Sequence, residues 1–196
     1  MYRRVKITDY GKRYQNLCRF PYHNHPKGCP NYGKRSDCPP CARVDKIFDL
    51  TMPMWVIYTE FPVGAFAERM RVCHPEWAHT PRQWYNCIRW QGTARKQHKK
   101  DILEFQEVFP TLHVDSNPEA LGVNVTEIMR QVAIDLEWNY HENHDPKRKT
   151  YRVSIAGSYH TDYDCAGSMV ERMTPEDVEI VKQHIDNTLK QKSCVT

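Results

Sequence analysis

Residues 29–41 read CPNYGKRSDCPPC, and this stretch decides how the N-terminal part of the chain folds. It holds three cysteines and three prolines in thirteen residues. Proline fixes φ and removes a backbone donor, so the stretch cannot form the interior of a helix or a strand. We therefore predict a rigid, irregular loop that serves something other than a hydrophobic core.

The loop belongs to a longer cysteine-rich stretch, residues 18–41, called the cysteine segment below. The chain has 196 residues and eight cysteines, and this segment holds four of them together with five prolines and two glycines. A stretch with so little apolar material stays disordered unless something else stabilises it. A bound metal supplies such stabilisation, because metal binding and folding are coupled. The four candidate ligands are Cys18, Cys29, Cys38 and Cys41.

The ligand chemistry of this segment favours an iron–sulfur cluster over zinc. Two residues separate Cys38 from Cys41, and a proline follows Cys38, which is a feature of iron–sulfur ligand runs. Four thiolates, or three thiolates and an imidazole, would suit zinc equally well, but zinc ribbons commonly show two C-x2-C pairs and this segment has one. We predict a [4Fe-4S] cluster, with zinc as the alternative. Unconnected thiols and a redox dithiol are weaker interpretations, since free cysteines seldom cluster and no βαβ pattern surrounds the pair.

The sequence CPNYGKRSDCPP resembles the signature of a family of predicted metal-binding proteins of unknown function, in which a cysteine pair is followed by Tyr-Gly-Lys and then Cys-Pro-Pro. The later stretch EALGVNVTEIM, residues 119–129, is similar to that family's C-terminal region. The resemblance implies a metal or iron–sulfur site on Cys29, Cys38 and Cys18. The fourth ligand stays open among Cys18, Cys41, His25 and a distant group such as Cys165, because this chain has histidines where the family often places a further cysteine.

The pattern of the whole chain predicts an α+β fold: one compact domain over residues 1–196, with a loop-built, cysteine-rich metal segment at residues 18–41. Residues RRVKI and MPMWVIYTEF read as strands, and YRVSIAGS alternates like another. We expect a short helix in ARVDKIFDL and a long one that Thr80 caps and that runs to Val108, with a weak point at Gly92. A further helix is expected near residues 126–138 and a last one from residue 174.

The long predicted helix carries a basic stretch that could bind an anionic substrate. Arg95, Lys96 and Lys99 lie there with tryptophan and tyrosine nearby, and such residues can contact phosphates and stack on bases. The net charge of +4 permits a polyanionic partner such as a nucleotide or RNA without requiring one. The same residues also fit an ordinary solvent-exposed helix face.

Several protein classes are excluded by what the sequence does not contain. We expect a cytoplasmic protein, since the N-terminus has no apolar leader and the longest apolar run is too short for a membrane span. No Walker loop, dinucleotide fingerprint, zincin motif or nucleophile elbow occurs. Two hypotheses remain. One is an iron–sulfur protein, with redox or sulfur-transfer chemistry on an anionic substrate. The other is a zinc-stabilised binding module without catalysis, for nucleic acid or a protein partner.

Overall fold

An antiparallel sheet lies at the centre of the fold. The computed structural model describes residues 1–21, 26–35, 38–77, 81–136 and 147–160. The four strands of the sheet have the spatial order β1-β2-β4-β3. They are β1 (Tyr2–Val5), β2 (Met54–Phe61), β3 (His113–Asp115) and β4 (Thr150–Gly157).

The two long strands carry the sheet. β2 and β4 pair over their lengths from Trp55↔Ala156 to Phe61↔Thr150. β-Branched and aromatic residues dominate both strands, and six of the eight residues of β2 are buried, which shows that both faces of this strand are covered. Both strands were predicted from their patterns, and the predicted edge strand is β1. β3 was not predicted, because three residues are too few to show alternation.

One helix is much longer than the others. The helices are α1 (Lys12–Gln15), α2 (Val44–Ile47), α3 (Val63–Cys73), α4 (Pro81–Trp84), α5 (Cys87–Val108) and α6 (Val125–Gln131), with 3-10 turns at Asn16–Arg19 and Pro75–Trp77. Helices and an antiparallel sheet together confirm the predicted α+β class. Residues Met1–His160 form one compact unit. The helix predicted from residue 174 lies outside the described residues.

The expected long helix is divided in two. The side chain of Asn86 accepts a 3.1 Å hydrogen bond from the backbone N–H of Ile88, so α5 begins after an asparagine cap rather than at Thr80. Gly92, expected as a weak point, lies inside continuous helix. The helix predicted near residues 126–138 is also shorter than expected, since α6 ends at Gln131. Its cap is Asn124, whose side chain accepts from the N–H of Glu127.

α5 covers one face of the sheet. Phe105 of α5 is fully buried in a cluster with Ile57 of β2 and Ala156 of β4. The ring centroids of Trp55 and Phe109 lie 4.8 Å apart at the rim of that cluster. This aromatic packing holds the C-terminal half of α5 on the sheet.

A polar network lies between α5 and the sheet. His98 is only 4% exposed, and its ring nitrogens lie 2.8 Å from Thr59 Oγ1 and 2.7 Å from Ser154 Oγ. Thr59 donates its hydroxyl proton to the carboxylate of Asp101. His98 Nδ1 must therefore be the donor to Thr59, which leaves Nε2 to accept from Ser154. Both ring nitrogens of this buried imidazole therefore have a hydrogen-bond partner when the ring is neutral.

Candidate metal centre

Both ends of the cysteine segment are held by the same short stretch of chain, residues 120–123, called the 120–123 strip below. Before the segment, Gln15 donates from Nε2 to the carbonyl oxygen of Ala120 at 2.7 Å. At its end, the thiol of Cys41 donates to that same oxygen at 2.9 Å. Gln15 also donates to the carbonyl oxygen of Cys41 at 3.1 Å, so the two ends are bonded to each other.

Backbone hydrogen bonds continue this attachment on either side. The N–H of Gly11 donates to Gly122 at 2.7 Å, and the N–H of Val44 donates to Leu121 at 3.0 Å. The 120–123 strip lies within EALGVNVTEIM, the second of the two stretches that resemble the metal-binding family. Cys41, the residue directly after the first of those stretches, thus bonds to the second, although 79 residues separate it from Ala120 in sequence.

Within the segment, Cys18 and Cys29 are joined through the backbone. The N–H of Cys29 donates to the carbonyl oxygen of Cys18 at 2.7 Å. Gly28 makes this approach possible, since it has φ +81° and a Cβ placed on it would lie 2.6 Å from the same oxygen. No larger residue fits there without moving the chain.

A second set of turns brings in Cys38. The N–H of Gly33, at φ +70°, donates to the carbonyl oxygen of Pro39 at 2.7 Å, and the N–H of Cys38 donates to Arg35 at 3.1 Å. These bonds fold the chain after Cys29 back toward the Cys38-Pro-Pro stretch. Three of the four predicted ligands therefore occupy one folded region.

The pKa of the Cys18 thiol depends on the neighbouring thiols of the segment. Partial burial raises the pKa of Cys18, and the neighbouring Cys29, Cys38 and Glu119 raise it further in that order. Like charges disfavour each other, so each added thiolate makes the next harder to form. A bound cation reverses this penalty, because it stabilises every thiolate around it.

The side chains do not yet form a coordination shell. Across the described ranges, no three His, Cys, Asp or Glu side chains are grouped closely enough to hold one metal ion. His25 and Cys165, the other ligand candidates, lie outside those ranges.

Cys41 differs from the other three in the hydrogen bonds that its thiol makes. Its thiol donates to Ala120, and Gln15 Nε2 lies 3.8 Å from its Sγ. A thiol that donates a hydrogen bond is protonated, whereas a metal ligand is a thiolate. In this arrangement Cys41 attaches the segment to the fold.

A surface groove borders Cys29. Its volume is about 480 Å³, and it is lined by Pro26, Lys27, Gly28, Cys29, Pro30, Tyr32 and Lys34. The guanidinium of Arg19 lies 6.0 Å from the centroid of the Tyr32 ring. With two lysines in its lining and an arginine beside it, the groove is electropositive and suits an anion.

The basic residues predicted on the long helix lie on α5. Arg95, Lys96 and Lys99 are all exposed, and Arg95 Nη2 lies 3.4 Å from Gln91 Oε1. Arg95 also lies near Arg152 of β4, whose pKa is lowered first by burial and then by the charge of Arg95.

Sequence reasoning missed two charged residues that belong to this region. Glu119 lies within electrostatic reach of both Cys18 and Arg152. Arg152 is half-buried within β4. An arginine inside the alternating strand YRVSIAGS was the available signal, because a charge on an inward-facing strand position needs a partner.

Comparisons of the chain with protein-family models, curated proteins and solved structures found no match. Among the described residues, no helix is long and apolar enough to cross a bilayer.

Proposed function

We propose that this chain is a metal-binding protein that carries an iron–sulfur cluster on Cys18, Cys29 and Cys38 and acts on an anionic substrate beside it. The observation that carries the proposal is the backbone geometry that gathers these three cysteines. The Cys29-to-Cys18 bond and the Gly33-to-Pro39 bond, both 2.7 Å, define it.

The donor set fits this cofactor. Thiolates are the ligands of iron–sulfur clusters, and after burial the neighbouring Cys29 and Cys38 raise the pKa of the Cys18 thiol. Because they are not yet grouped tightly, closing the shell requires the loop to tighten around the metal, as coupled binding and folding provides. The bonds to the 120–123 strip hold both ends of the loop in place during that movement.

Cys41 has a different role in this proposal, since its thiol is bonded to Ala120. Three protein thiolates leave one iron of a [4Fe-4S] cluster without a cysteine. Such a cluster supplies electron transfer or Lewis-acid activation of a substrate group, which fits redox or sulfur-transfer chemistry. The groove beside Cys29 attracts the anionic substrate through Lys27 and Lys34.

The decisive experiment is anaerobic purification of the full chain, followed by iron, sulfide and zinc analysis and a visible spectrum. We expect a brown protein that absorbs near about 400 nm, with iron and sulfide far above zinc. A colourless protein with about one zinc per chain would overturn the cluster and favour a zinc-stabilised, non-catalytic binding module. In that case Cys38→Ser would unfold the segment, whereas an open-site cluster enzyme would lose activity and keep its fold.

A further inference from the structure

The register between α5 and β4 places Arg152 in a defined position. Phe105 of α5 packs in one cluster with Ala156 of β4, and His98, about two turns earlier, bonds Ser154 at 2.7 Å. Moving toward the N-terminus of α5 therefore means moving from residue 156 to residue 154 on β4. The next β4 residue on this face is Arg152, because side chains alternate along a strand.

The preceding turn of α5 carries Arg95, three residues before His98. Arg152 and Arg95 thus approach each other from the strand and the helix, and their charges interact. Both are cations, so their proximity is unfavourable unless an anion lies between or beside them.

One nitrogen of the Arg152 guanidinium, Nε, is buried. Within the described residues nothing accepts a hydrogen bond from it. Its cross-strand neighbour is Thr59, but the hydroxyl of Thr59 is already committed to His98 and Asp101. A buried guanidinium nitrogen without an acceptor is costly.

Among the described residues, the carboxylate of Glu119 lies within electrostatic reach of Arg152, and it makes no hydrogen bond with Nε. Two guanidinium groups against one carboxylate leave a net positive charge at this place. The same Glu119 also influences Cys18, so this place is close to the cysteine segment.

We propose that Arg95 and Arg152 form a phosphate-binding site that holds the phosphate group of a small-molecule substrate. The planar guanidinium fork matches phosphate oxygens in a bidentate manner, and the exposed Arg95 leaves the site open to solvent. As the anchor for the substrate's anionic group, the site rests on the proposed function. Phosphate binding itself does not require the cluster.

The test measures binding of inorganic phosphate and of AMP to the purified full chain by calorimetry, at constant ionic strength. We expect Arg152→Met to weaken phosphate binding about tenfold or more, because charge-assisted bonds are lost. Its melting temperature without phosphate should be unchanged or higher, since an unsatisfied buried charge is removed. A residue with a merely structural role would lower that temperature and leave binding unaffected.

The matched control is Lys100→Gln, which removes one charge from α5 at about 140° around the helix from Arg95. We expect it to change phosphate affinity less than about twofold. If Arg152→Met and Lys100→Gln bind phosphate equally well, the site does not exist. Should Arg152→Met fail to fold, the exposed Arg95→Gln variant takes its place, with the same expected loss.

Comparing inorganic phosphate with AMP identifies the kind of compound that carries the phosphate group. Tighter binding of AMP than of inorganic phosphate indicates a nucleotide, and equal binding indicates free phosphate or another phosphate ester. Iron and zinc are measured on the same samples. If phosphate binding depends on the arginines but the protein contains no iron, this site is supported and the cluster is overturned. If the protein contains iron but does not bind phosphate, the cluster is supported and this site is overturned.

Discussion

The backbone N–H of Cys29 lies 2.7 Å from the carbonyl oxygen of Cys18, and this bond joins two cysteines from different turns of the segment. It depends on Gly28, where the chain passes against the backbone of Cys18 and Arg19. Two proposed ligands can thus approach each other because Gly28, the residue before Cys29, has no side chain.

Gly28→Ala should therefore impair metal binding. Its Cβ would lie 2.6 Å from the Cys18 oxygen, and φ +81° is strained for alanine. We expect a loss of about 1–3 kcal/mol in the stability of the segment and a lower metal content. Metal analysis and thermal unfolding of the purified variant measure both.

The control for that variant is Gly92→Ala. Gly92 lies inside α5 with no atom within 4 Å of an added Cβ, so alanine should raise stability by about 0.5–1 kcal/mol. Equal behaviour of the two variants would contradict the assigned role of Gly28.

Cys38→Ser should remove most of the metal. Serine is a poor replacement for a thiolate ligand, and we expect metal affinity to fall about tenfold or more. Cys73→Ser serves as the control, because Cys73 is an exposed thiol outside the segment. Unchanged metal in Cys38→Ser would exclude Cys38 as a ligand.

Cys41 should behave as an attachment point. In Cys41→Ser the hydroxyl can still donate to Ala120, so we expect metal to be retained and stability to change by less than about 0.5 kcal/mol. Cys41→Ala removes the donor and should cost about 1 kcal/mol. The measurements are metal content and urea unfolding. Loss of metal in Cys41→Ser would instead identify Cys41 as a fourth ligand.

The stability of the fold should depend on the protonation of His98. Burial, reinforced by the charge of Arg152, lowers the pKa of His98 to about 4, against an ordinary value near 6.5. Below pH 6.5 the unfolded chain binds a proton at this histidine that the folded protein does not. The contribution of neutral His98 to the free energy of unfolding is therefore complete above pH 6.5. It declines as pH falls toward 4, by about 3 kcal/mol in all.

Urea unfolding at several pH values tests this, with His98→Gln as the comparison. The variant has no titrating group at this position, so its free energy of unfolding should fall less steeply between pH 6.5 and 4. Parallel pH profiles for the two proteins would show that His98 does not supply the pH dependence.

The sequence predicted the elements whose patterns are local. β2 and β4 were visible because their apolar and β-branched residues extend over eight positions each. The α3 helix was not predicted, because it begins after Pro62 without a side-chain cap to mark its start. The break before α5 was missed because Asn86 competes as a cap with Thr80, and sequence does not rank two good caps.

The site was predictable only as a list of cysteines. That Cys41 bonds Ala120, and that Arg152 faces α5, depends on contacts between residues far apart in sequence. Spacing alone treated Cys38 and Cys41 as equivalent. The different roles that we assign to them rest on the bond from Cys41 to the carbonyl oxygen of Ala120, which no pattern within the segment reveals.

The shared attachment of Gln15 and Cys41 to Ala120 has a consequence for how the protein opens. A loop whose two ends are bonded at one place can lose its order without separating the strands of the sheet, because those bonds keep its ends together. We therefore expect the described residues between the ends, 16–21, 26–35 and 38–40, to open before the sheet does. Without metal, their amides should exchange with solvent long before those of β2 and β4, and the bound metal should abolish that difference.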